Sequence, residues 1–243
     1  MADVNPNQDL RFKEIMKRMI PSGYLFSFIY LSVEICGKGQ DNKDFKDMLS
    51  IGNDLSPAVA FAMLTIVVYV VGVLINFIAS WCERHLYKWG CLKRPSQQIL
   101  NDDTNEYKVS SIEKIREEFK DFLADGYVCE QQAKQIVNTI KGRINRKDNM
   151  VEEMYHQSVL ARNLLAAQIA GILFFGIALS LNKIGLLYID IIEFNTKPLV
   201  LWLSVSVLLS YWFYKEWRRK NFVYMRNIFQ EYLNPKRIKD LII

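Results

Sequence analysis

The stretch PAVAFAMLTIVVYVVGVLINFIASW, Pro57 to Trp81, decides the fold class. A hydrocarbon core of about 30 Å is crossed by about 20 helical residues, and this run is long and apolar enough to do so. Working outward, Leu160 to Leu181 is a second strong segment, Pro198 to Tyr214 is strong but short, and Ile20 to Gly37 is the weakest. The 51% apolar content is therefore clumped into blocks separated by charged intervals. The expected fold is an all-α integral membrane protein with four transmembrane helices and a small helical cytoplasmic insert between spans 2 and 3.

Ile20 to Gly37 follows the basic RFKEIMKRM but lacks a small-x-small cleavage site, so it reads as a retained span rather than a secretory signal. Its other reading is an amphipathic helix on the membrane surface. Orientation follows from Lys and Arg, which stay on the cytoplasmic side. Of the 31 in the chain, the N-terminal arm, the 82–162 interval and the C-terminal tail hold all but Lys38, Lys43, Lys46, Lys183 and Lys197. Both termini and the insert are expected in the cytoplasm, with two short loops outside. Trp81, Tyr87, Trp89, Trp212, Tyr214 and Trp217 suit the inner interface, with Tyr24 as an addition, and Tyr188 and Trp202 suit the outer one.

The expected organisation is an arm at 1–19, spans 1 and 2 within 20–81, an insert at 82–159, spans 3 and 4 within 160–214, and a tail at 215–243. In the insert, CERHLYKWGCLKRPS carries the second span about two turns onward, until Gly90 and Pro95 stop it. Ser110 and Glu113 form a capping box. Ile112, Ile115, Phe119, Phe122 and Leu123 then share one helical face, and Ala133, Ile136, Val137 and Ile140 share the next. These faces are expected to pack on one another, on the projecting helices or on another subunit. From about Asp148 the chain is helical into the third span. IGLLYIDIIEF, Ile184 to Phe194, is either an interfacial segment or a kinked continuation of that span.

Polar side chains within lipid are expensive and mark packing or function. Asn76 and Gln168 lie at similar depth, and interhelical hydrogen bonding is the favoured reading over a pore role. Gly72 and Gly171 sit on small-residue stripes that let helices approach closely. Glu34 falls near the outer end of the first span, either as a paired interfacial carboxylate, with Lys183 its partner, or as part of a negative ring at a pore mouth.

No phosphate-loop, nucleophile-elbow, HExxH or dinucleotide turn is present, so no enzyme, catalytic residue or cofactor is expected. The cysteines form no CxxC pair, and Cys82, His85 and Cys91 lack a fourth ligand for zinc. Arg84, Lys88, Trp89, Arg94, Arg143, Arg146, Arg218 and Arg219 are the candidates for binding phosphate of a lipid or nucleotide-type signal, since Arg offers bidentate contacts and Trp offers stacking. Their alternative is ordinary anchoring to anionic headgroups. Acidic residues offset the basic ones, so general nucleic-acid binding is not expected.

Spans near 20–37, 57–81, 160–181 and 198–214, with CERHLYKWGCLKRPS beneath them, resemble the small four-span membrane effectors of bacterial anti-phage defence systems. The resemblance lies in architecture and carries over no functional residue. It implies an oligomer in the bacterial inner membrane that answers an intracellular signal or partner by opening a pore. The second expectation is a non-conducting anchor or sensor whose insert docks a cytosolic protein through its apolar faces.

Overall fold

The computed structural model describes residues 6–36, 56–103, 107, 109, 112–120, 127–144, 149–183 and 196–233. Seven helices and no strand occur among them: α1 (Pro6–Cys36), α2 (Pro57–Lys88), α3 (Pro95–Leu100), α4 (Ile112–Glu118), α5 (Glu130–Arg143), α6 (Asn149–Lys183) and α7 (Thr196–Leu233). Three of them, α2, α6 and α7, contain stretches long and apolar enough to cross a membrane. α1 is not among these three: Ser22, Gly23, Tyr24, Ser27 and Ser32 dilute its apolar half, and Pro21 lies inside it.

Local sequence explains the helix limits. α2 ends at Lys88, and Gly90 takes φ +71°, a left-handed conformation that glycine adopts without steric cost. Pro95 opens α3, where its missing amide is not needed. α6 runs unbroken from Asn149, because its sequence contains no proline. Ser110, Phe122, Leu123, Arg146 and Ile184 to Phe194 lie outside the described residues, as do the side chains of Glu34 and Lys183.

The chain divides into two compact units. The first comprises Met1–Ser80 and Leu160–Lys215. Its helices α1, α2, α6 and α7 bury Ser22, Phe28, Ile75, Ala79, Ala167 and Phe175, while Phe61, Leu64, Phe77, Phe174 and Leu208 are exposed. An interior that mixes small and polar groups with a few large apolar ones, beneath a surface of exposed large apolar side chains, suits a lipid solvent.

The second unit comprises Trp81–Val159 and Glu216–Ile243. Its core joins Ile99 and Leu100 of α3, Ile112 and Ile115 of α4, Ala133, Ile136, Val137 and Ile140 of α5, and Phe222, Tyr224, Ile228 and Phe229 of α7. The two apolar faces expected from helical spacing are thus turned inward, and residues read as a tail complete the core. Asn101 fixes the chain between α3 and α5: its Nδ2 donates to the Val128 carbonyl at 2.9 Å and its Oδ1 accepts from the Val128 amide at 2.8 Å. Arg116 Nε donates to the Leu100 carbonyl at 2.5 Å, tying α4 to α3.

Candidate functional site

The first unit holds a seam of polar side chains between otherwise apolar helices. At one level Arg162 Nη2 donates to Asn76 Oδ1 at 2.8 Å, and Asn163 Nδ2 donates to the same oxygen at 3.2 Å. Asn163 is fully buried, and its Nδ2 also lies 3.4 Å from the Lys17 carbonyl oxygen. Asn163 of α6 thus reaches both the Asn76 amide oxygen of α2 and the Lys17 carbonyl of α1.

A second level centres on Gln168, also fully buried. Its Oε1 accepts from the Tyr24 hydroxyl, and its Nε2 donates to the Ser206 carbonyl at 3.2 Å, joining α1, α6 and α7. Farther along α1, Trp202 Nε1 donates to Ser32 Oγ at 2.8 Å. Ser22 Oγ donates to the Val68 carbonyl at 2.6 Å, and Arg18 Nη1 donates to the Tyr69 hydroxyl at 2.8 Å. In a medium without water a polar group left alone is costly, so these pairs specify which helices meet and in what register.

Close backbone approach makes the seam geometrically attainable. A Cβ on Gly72 would overlap the Arg18 carbonyl, and one on Gly171 would come within 2.5 Å of the Phe28 ring. Phe28 in turn stacks on Trp202, with ring centroids 5.4 Å apart. Asn76 and Gln168, paired by depth in the sequence, are not bonded to each other; each serves a separate level.

The second unit sorts the basic candidates. Arg94 Nε donates to Glu130 at 2.6 Å, and its guanidinium lies over Tyr87. Arg143 reaches Glu118 at 2.5 Å and the Tyr232 hydroxyl at 2.6 Å. Arg218 donates to the Lys93 carbonyl at 3.1 Å and covers Phe222. Arg219 makes a two-pronged pair with Glu216, at 2.8 and 3.0 Å, and holds that carboxyl below its usual range. These four are engaged within the fold. Arg84, Lys88 and Trp89 are exposed.

Burial pushes the Tyr87 hydroxyl up, aided by the Glu83 carboxylate, and raises Tyr224 to about 12. Among the described residues no group of His, Cys, Asp and Glu is arranged to hold a metal ion. Sequence reasoning found Asn76 and Gln168 but missed Tyr24, Arg162 and Asn163 as their partners. Tyr24 reads as an interfacial anchor and Arg162 as a loop charge. The available signal was that Arg162 and Asn163 directly precede an apolar run while Asn76 lies one turn inside another.

The chain matches no protein family, no curated protein and no solved structure.

Proposed function

We propose that this chain is an oligomeric inner-membrane channel or pore-forming effector, controlled through its second unit. The observation that carries the proposal is the seam: Arg162, two buried amides and their partners lie in a bundle whose outer surface is apolar. Ionisable and amide groups at such depth are functional candidates by default. Here Asn76, Arg162, Asn163 and Gln168 are hydrogen-bonded across helices, the condition of a closed state, and a two-state element must have such a set of bonds to exchange.

In this reading α1 supplies the fourth span, both termini and the second unit face the cytoplasm, and the membrane is a bacterial inner membrane. Homo-oligomerisation and response to a nucleotide-type signal or cytosolic protein complete the scheme, which parallels the small anti-phage effectors. Glu34 then stands near the outer mouth, where Glu34→Gln alters cation preference.

The competing reading is a non-conducting anchor that docks a cytosolic partner. It is weakened because Ile112, Phe119, Ile136 and Ile140, the faces it would use, are buried in the unit's own core. The two readings separate in reconstituted liposomes. Conduction predicts potassium efflux that rises several-fold with Asn163→Leu, while an anchor gives tight vesicles with either protein.

A further inference from the structure

Among the described residues, the last two turns of α2 carry a largely exposed face. Trp81, Arg84, His85 and Lys88 fall within about a third of the helix circumference at 3.6 residues per turn, and Trp89 follows directly. Trp81 is 51% and Trp89 68% exposed, and Arg84 and Lys88 are exposed too. His85 lies between the two indoles, with ring centroids 4.1 Å from Trp81 and 5.4 Å from Trp89. Its Nδ1 is 2.9 Å from the Trp81 carbonyl, which can only accept, so Nδ1 carries a proton and Nε2 is turned away from that bond.

The same helical face continues back through α2 as Val70, Leu74, Phe77 and Ile78, all exposed. Along one line the surface therefore passes from aliphatic to aromatic to cationic. That is the order met on leaving hydrocarbon, crossing the interfacial belt and reaching phosphate. On the helix Glu83 lies about 100° round from Arg84 and about 140° from Lys88, off the line that these two share with Trp81 and His85. The other described basic candidates differ, since Arg94, Arg143, Arg218 and Arg219 have protein partners.

We infer that this face is a binding site for anionic phospholipid: Arg84 and Lys88 take the headgroup phosphate, and the Trp81–His85–Trp89 ladder packs on the glycerol and upper acyl region. The inference holds whether or not the protein conducts.

The test is native mass spectrometry of the detergent-purified full chain with an equimolar mixture of phosphatidylglycerol and phosphatidylcholine. Phosphatidylglycerol is expected to be retained in preference. The double variant Arg84→Gln/Lys88→Gln should lose that preference about tenfold or more, each cation near an anionic headgroup being worth about 1 kcal/mol. Its helicity and thermal midpoint should be unchanged, and Arg143→Gln should bind lipid as the native chain does. Equal retention of the two lipids overturns the inference. So does a double variant within about twofold of the native chain, or displacement of phosphatidylglycerol by inorganic phosphate, which would mark a site for free phosphate.

Discussion

At Gly72 a single hydrogen in place of a methyl group sets how closely α1 can lie on α2. Because a Cβ there meets backbone rather than a flexible side chain, Gly72→Ala must push the helices apart. The expected cost is at least about 1–3 kcal/mol, typical of overpacking, read as a lower unfolding midpoint in detergent. Gly176 has nothing within 4 Å of its Cβ position, so Gly176→Ala should be neutral or slightly stabilising; equal effects of the two would refute the assigned contact. Gln168→Leu removes the partner of the Tyr24 hydroxyl, while the Ser206 carbonyl keeps its bond from Ser210 Oγ at 2.9 Å; the change should cost about 1 kcal/mol, the scale of side-chain hydrogen bonds between membrane helices. Tyr224 gives the second unit an alkaline limit. Its folded-state pKa of about 12 exceeds the ordinary 10.0, so the folded chain keeps a proton that the unfolded chain releases. The contribution is complete below pH 10 and is lost as pH rises towards 12. Circular dichroism through that window should show a shallower fall for Tyr224→Phe. At this scale the sequence identified the expensive groups, Asn76 and Gln168, because depth in an apolar run is local information. Their partners depend on which helices become neighbours, and that is not local.

The helices themselves were more legible. Gly90, Pro95 and the unbroken run after Asp148 mark stops and continuations through backbone chemistry alone, and period-3.6 spacing selected Ile112, Ile115, Ile136 and Ile140 correctly as inward-facing. The second half of α7 was not legible. Its basic WRRKN stretch resembles a solvated tail, yet Phe222, Ile228 and Phe229 recur at helical spacing among those charges and close the core of the second unit. At 38 residues α7 is about 57 Å long, nearly twice the hydrocarbon thickness, so most of its later half has no lipid to face. Phe229→Ala should therefore cost about 3–5 kcal/mol. Hydrogen exchange would show α5 and the end of α7 losing protection together, whereas a true tail would leave α5 unchanged.

For the whole molecule, composition located the apolar blocks, and three of the four helices meet the requirement for a span on length and apolarity. α1 falls short because its inner face is built from hydroxyls that bond to neighbouring helices, a property that lowers hydropathy while serving packing. The proposed activity makes the seam a latch whose weakening opens a path for ions, without new contacts elsewhere. Planar-bilayer recording of the full chain beside Gln168→Leu tests this most directly. The account predicts discrete openings whose frequency rises several-fold in the variant. Silent bilayers for both proteins, with incorporation verified, would contradict it and leave a membrane anchor.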